Sequence, residues 1–122
     1  MKLREIAEKL NLVNLTPELD SRGELDVTRA HASDLLSDVL ANAPRDGLLV
    51  TIQVHMNVIA VSLHAEQAGV IFASGRLPDE TVRKKAVEEN IPLFSCALST
   101  FDVAGRLYGL GLRGADGRRG NS

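Results

Sequence analysis

Gly69 to Ser95, reading GVIFASGRLPDETVRKKAVEENIPLFS, constrains the fold more than any other stretch of this chain. A short apolar run leads into Ser74-Gly75-Arg76, then Pro78-Asp79, a charged helical segment, and a second apolar run at Ile91-Pro92-Leu93-Phe94. The order is strand, glycine turn, helix, strand, the unit from which parallel sheets are built. A second buried strand is expected upstream, because Gly47 to Val54 carries Leu48, Leu49, Val50 and Ile52 almost without interruption. Continuous apolar runs of that length suit strands covered on both faces of a parallel sheet.

Between those two strands Asn57 to Gln67 has strong β propensity at Val58-Ile59-Ala60-Val61. A helix is nevertheless expected, since Asn57 is a good cap and a parallel crossover needs about a dozen residues. Asp79 to Asn90 reads as a helix with Val82, Ala86 and Val87 inward and Lys84 and Lys85 exposed. Leu93 to Ser95 reads as the last short strand. Ser99-Thr100-Phe101-Asp102 has the Ser-x-x-acid form of a capping box, opening a helix with Val103, Ala104, Leu107 and Tyr108 on one side. Earlier, Leu3, Ile6, Ala7 and Leu10 recur at helical spacing opposite Lys2, Arg4, Glu5, Glu8 and Lys9. Thr16 to Leu19 reads as a helix start or turn, Asp20 to Gly23 as a turn, Leu25 to Thr28 as a short strand, and Ser33-Asp34 as the start of a helix with Leu35, Leu36, Val39 and Leu40 as its stripe. The whole predicts a single α/β domain over residues 1–112, a small mostly parallel sheet flanked by helices, with 113–122 as a flexible tail.

Composition narrows the functions. Apolar residues make up 44% and charged residues 25%, ordinary for a chain with its own core. A net charge of −2 lacks the basic excess of nucleic-acid binders, and 3% aromatics leave few stacking platforms, so no nucleic-acid partner is expected. No apolar run approaches the ~20 residues of a membrane span, so no membrane contact is expected. The single cysteine, Cys96, forms no internal disulfide, and the amphipathic N-terminus does not read as a signal peptide. A cytoplasmic location is the simplest expectation.

Ligands of open α/β sheets bind beyond the carboxyl ends of the strands. Thr28 to His31, Gln53 to Asn57, Ser74 to Arg76 and Ser95 to Thr100 are expected to converge there. The candidate ligand-binding residues are Ser74, Gly75, Arg76, His55, Asn57 and Thr100, a set of hydroxyls, amides, an imidazole and a guanidinium suited to a phosphorylated or carboxylated molecule. Each has a plainer role. Gly75 serves a positive φ, Arg76 a solvated charge, His55 a hydrogen bond at a strand end, and Asn57, Ser99 and Thr100 helix starts. No metal site is expected, since His31, His55, His64 and Cys96 lack close ligand spacing. A small hydrolase or transferase using His55, Asp79 or Cys96 ranks last, because no nucleophile and base are paired by the pattern.

Residues 69–79, with Asn90-Ile-Pro-Leu-Phe94 and Ser99-Thr-Phe-Asp102, resemble the DRTGG domain. Ala73-Ser74-Gly75 stands where that family has its Thr-Gly-Gly segment. The Asp-Arg-Thr letters are not present near Val54 to Asn57. Leu3 to Leu15, Leu25 to Thr28 and Ser33 to Val39 look like small stand-alone members, with Arg29-Ala30-His31 in place of a Gly-Gly-aromatic step. The resemblance implies a fold similar to the N-terminal domain of HPr kinase/phosphorylase. It also implies a non-catalytic regulatory module without a cofactor, commonly self-associating. A homodimer is therefore expected, with a nucleotide or phosphometabolite and a partner enzyme or regulator as candidate partners. The alternative is a structural module that joins proteins without a ligand.

Overall fold

A computed structural model of the chain describes residues 1–116; residues 117–122 of the expected tail lie outside the described residues. The elements are α1 (Leu3–Lys9), β1 (Val13–Asn14), a 3-10 stretch (Pro17–Glu24), β2 (Ala30–Ala32), α2 (Leu36–Asn42), β3 (Leu48–Thr51), α3 (Met56–His64), β4 (Gly69–Phe72), α4 (Glu80–Glu88), β5 (Leu93–Ser95) and α5 (Thr100–Gly109). They build an α/β domain around a five-stranded sheet in the order β1-β5-β4-β3-β2. β2, β3, β4 and β5 run parallel, with Val50 beside Ile71 and Ile71 beside Phe94, and β1 closes one edge antiparallel to β5.

Strand alternation sorts the core into two layers. Leu48, Val50, Ile71 and Phe94 point to one face and pack with Leu3, Ile6, Val103 and Leu107 of α1 and α5. Leu49, Val70, Phe72 and Leu93 point to the other and pack with Val39, Val58, Ile59, Val82 and Ala86 of α2, α3 and α4. All four residues of β3 and of β4 are buried, which explains their near-continuous apolar sequence.

The parallel β3-α3-β4-α4-β5 run has the expected order. Asp79 caps α4 by accepting from the Val82 amide at 3.0 Å, and Ser99 caps α5 by accepting from the Asp102 amide at 3.2 Å. The cap of α3 is a correction. His55 Nδ1, not the Asn57 side chain, accepts a hydrogen bond, and its donor is the Asn57 amide at 3.2 Å.

Other expectations fail locally. Leu25 to Thr28 is not a sheet strand, because the N-terminus pairs with it: the Leu3 amide donates to the Leu25 carbonyl and the Val27 amide to the Met1 carbonyl. The strand beside β3 is Ala30–Ala32 instead. Helix α2 opens at Leu36, since Asp34 is drawn away to the end of β3, where it accepts from Thr51 Oγ1 at 2.9 Å and the Ile52 amide at 2.8 Å. Only Val39 of the expected stripe is fully buried, and Leu35 stays 65% exposed. Tyr108 also faces outward, with Arg113 over its ring at 3.7 Å from the centroid. Arg113, assigned to the tail from sequence, is tied to β2 through the Thr28 carbonyl and the Ala30 amide.

The β1 edge has no counterpart among the expected strands. Two residues carry no periodicity, and the edge is secured largely by the next two, Leu15 and Thr16. The Leu15 amide donates to the Leu93 carbonyl, and buried Thr16 Oγ1 accepts from the Leu93 amide at 3.0 Å. Thr16→Val keeps the volume and leaves that amide unpaired, so urea unfolding is expected to register a loss of about 1–3 kcal/mol. A loss below a few tenths would mean the bond does not hold the edge.

Candidate functional site

Because four strands run parallel, their carboxyl ends open on one rim, and the loops there are stitched to one another. The Ala73 amide donates to the Thr51 carbonyl at 3.0 Å and the Cys96 amide to the Phe72 carbonyl at 2.9 Å, extending the sheet ladder past the ends of β3 and β4. Gln53 Nε2 reaches the Asp34 carbonyl at 3.1 Å and draws the loop after β2 onto the loop after β3.

The glycine turn takes its shape from the same stitching. Ser74 and Gly75 both adopt left-handed backbone, with φ of +58° and +67°. That curl delivers the Ser74 amide to the Leu98 carbonyl at 2.7 Å and the Gly75 amide to the Cys96 carbonyl at 2.8 Å; the Arg76 amide turns back to the Ala73 carbonyl at 3.2 Å. The backbone amides of the three candidate residues in this turn are thus bonded within the chain. A Cβ at Gly75 would meet nothing within 4 Å, so the position requires glycine for its φ alone. The start of α4 likewise meets its own carboxylates, Asp79 as cap and Glu80 in the first turn.

What this turn offers a ligand is therefore side chains. An open cleft of about 600 Å3 between the β3–α3 and β4–α4 connections is lined by Gln53, His55, Arg76 and Asp79, with Met56 and Leu77 adding apolar surface. Arg76 is exposed and makes no ion pair or side-chain hydrogen bond among the described residues. His55 accepts at Nδ1 for the helix cap, which places its ring proton on Nε2 and leaves that N–H as a donor. Of the six candidates, the structure gathers His55 and Arg76 on this cleft. Ser74 and Gly75 lie at the rim with spent amides, and Asn57 and Thr100 stand in the first turns of α3 and α5. Gln53 and Asp79 complete the lining. Sequence placed Asp79 at the start of the helix that follows; in the structure it caps α4 and also lines this cleft.

His31 does not join this site. It stands on β2 against α2, where its Nε2 lies 2.8 Å from Asp38 Oδ2. Asn42 Nδ2 donates to Asp38 Oδ1 at 2.8 Å. Hydrogen bonds from Asn42 first, and then from His31, lower the Asp38 carboxyl to about 2. His64 lies exposed on α3, and Cys96 is buried at the end of β5. Among the described residues no three His, Cys, Asp or Glu side chains gather to hold a metal ion, and no helix is long and apolar enough to cross a membrane.

Set against known protein families and against curated proteins, the sequence has no match in either.

Two measurements test this geometry. Gly75→Ala is expected to lose about 1 kcal/mol in chemical denaturation without a steric clash, purely from its positive φ. Asp38 has a folded value below its ordinary 3.8, so its contribution is complete above about pH 4 and vanishes as pH falls toward 2. Asp38→Asn should therefore flatten the stability profile across that window, as followed by circular dichroism. An unchanged profile would show that the His31–Asp38–Asn42 chain does not couple to folding.

Proposed function

We propose that the chain is a non-catalytic regulatory module that senses a small phosphorylated or nucleotide ligand in the cleft between the β3–α3 and β4–α4 connections. One observation carries the reading: an Arg76 guanidinium without a partner among the described residues shares that cleft with the free N–H of His55. Arg76 supplies the charge and a planar fork for phosphate oxygens, and His55 a single directional donor. Gln53 and the Met56 and Leu77 side chains suit the uncharged part of such a molecule. The resemblance to the DRTGG domain supports the regulatory role, with a partner enzyme or regulator responding to the binding event.

Calorimetric titration with a panel of nucleotides and phosphometabolites tests this reading. At least one member is expected to release or absorb heat, and Arg76→Ala to weaken its binding by about tenfold or more, the scale of a lost charge-assisted hydrogen bond. No heat across the panel, or binding unchanged in Arg76→Ala, refutes the reading.

A second reading, assembly of copies or partner proteins without a ligand, draws on Phe101, 85% exposed, and Leu77, 60% exposed. Both belong to segments that the Ser74–Leu98 and Gly75–Cys96 bonds hold together at the carboxyl rim. Large apolar side chains left out on one rim are a feature of association surfaces. Under this reading Phe101→Asp converts a dimer seen by light scattering into a species of 13.1 kDa. If the parent chain itself scatters as a monomer at micromolar concentration, the reading fails.

A further inference from the structure

Strand β2 forms the edge of the sheet opposite β1, and its backbone is only partly used. Strand alternation turns Arg29, His31 and Ser33 toward β3: the Leu48 amide donates to the Arg29 carbonyl at 3.0 Å and the Ser33 amide to the Val50 carbonyl at 3.1 Å. Ala30 and Ala32 therefore turn their amides and carbonyls outward. The Arg113 carbonyl meets the Ala30 amide at 3.0 Å, and the Arg113 amide donates to the Thr28 carbonyl at 3.1 Å, a parallel bridge between Arg29 and Arg113. Past Arg113 that ladder stops. The Ala30 carbonyl and both backbone groups of Ala32 have no hydrogen-bond partner among the described residues, and Ala32 is exposed. The Ala-His-Ala edge carries none of the lysines, prolines or bulges that keep open strands from pairing.

The two sides of this edge differ in chemistry. Toward α5, the small side chains of Ala30 and Ala32 leave an apolar pocket of about 140 Å3, walled by Val50, Ala104, Leu107 and Leu112. An open groove of about 990 Å3 wraps the edge from Asp38 and Asn42 on α2 to Tyr108 on α5, and Asp116 also lines it. His31 and Asn42 both lie 2.8 Å from the Asp38 oxygens, and among the described residues no lysine or arginine pairs with Asp38 or Asp116. Arg113, the only lysine or arginine among the described lining residues, is folded back over the Tyr108 ring and donates to the Tyr108 and Leu112 carbonyls. The groove therefore favours a cation on its α2 side and an apolar group on its α5 side.

An outward carbonyl at Ala30, then an amide and a carbonyl at Ala32, call for donor, acceptor and donor at strand spacing, which an extended peptide backbone supplies. We propose that β2 takes up an extended segment of a partner protein as an added parallel strand continuing the Arg113 ladder, with a lysine or arginine opposite His31 and an apolar residue on either side of it. The residue opposite His31 donates to the Ala30 carbonyl and accepts from the Ala32 amide, repeating what Arg113 does with Thr28 and Ala30. Its side chain falls on the α2 side, as that of His31 does. Adjacent strands lie about 4.8 Å apart, so a long basic side chain there spans to the carboxylate that His31 touches. The flanking residues fall on the α5 side, where one fills the apolar pocket and the other lies against Tyr108, 60% exposed.

The test is a titration of the isotopically labelled chain with acetylated, amidated heptapeptides Ser-Thr-X-Lys-X-Thr-Ser, X being leucine, valine or phenylalanine, followed by proton–nitrogen correlation spectra and amide exchange. At least one peptide is expected to shift the Ala32 amide and slow its exchange with solvent. Glutamate in place of the peptide's lysine is expected to weaken binding about fivefold, the scale of an exposed ion pair. N-methylation of the lysine's amide, which removes the donor to the Ala30 carbonyl, should weaken it about tenfold or more. Asp38→Asn should erase the preference for lysine over glutamate. Ala32→Pro removes an amide that the fold leaves unused and should abolish binding, whereas Arg76→Ala, in the cleft proposed for a phosphorylated ligand, should leave it unchanged. The two peptide-side comparisons hold even where a protein variant fails to fold. The proposal is overturned if no heptapeptide moves the Ala32 amide at millimolar concentration, or if the glutamate or N-methylated peptide binds as well as its parent. An Ala32 amide already protected from exchange in the free chain also overturns it, and protection that grows with protein concentration would identify a second copy as the occupant instead.

Discussion

The enclosure of β4 is the constraint on which the rest depends. Its four residues are buried on both faces, and β3 and β5 take both of its edges. A strand in that position must pair every amide and carbonyl, because unpaired backbone in an apolar interior is costly. The pairing does not stop where β4 stops. Ala73, Ser74 and Gly75 go on donating to Thr51, Leu98 and Cys96, and two successive left-handed residues are the means. A turn that looks from outside like an anion cradle is, from inside, the last stitch of the sheet.

That internal use of the loop divides labour between backbone and side chains at the carboxyl rim. Backbone groups hold the three connections in register, and in the Ser74–Arg76 turn the side chains are what the stitching leaves over. Arg76 and His55 are left over in this sense, as are Leu77 and Phe101. The amino-terminal end has the opposite character. There the backbone turns are also closed, as where the Asp46 amide meets the Glu66 carbonyl, but buried side-chain polar atoms stay unpaired. One end thus presents exposed groups around an open cleft, and the other conceals groups beneath its surface.

The legible parts of the sequence were those where one local rule dominated. β3, β4 and β5 could be read because burial on both faces leaves a continuous apolar run, and α4 and α5 because Asp79 and Ser99 are caps at the head of a helical stripe. Legibility failed where pairing over a distance decided the outcome. Leu25 to Thr28 has the look of a strand and is extended, yet its partner is the N-terminus. Ser33-Asp34 has the look of a helix start, yet Asp34 is claimed by Thr51 and Ile52. His55 replaces Asn57 as the cap because the strand end, not the residue preference, sets where α3 begins. At the candidate site, sequence located the rim and two of its side chains. It could not say that the loop amides were already bonded, since that depends on the distant carbonyls of Cys96 and Leu98. The buried atoms left unpaired, on Ser62, Gln67 and Arg22, leave no sequence pattern at all.

The most direct test of the account is a proton–nitrogen correlation spectrum of the chain titrated with a nucleotide. If side chains alone do the binding, the Arg76 Nε–H and the His55 ring resonances move with ligand, while the Ser74 and Gly75 amides keep the shifts set by their bonds to Leu98 and Cys96. Large shifts of those two amides, with Arg76 and His55 unmoved, would mean that the turn releases its internal bonds to hold the anion and would contradict the account.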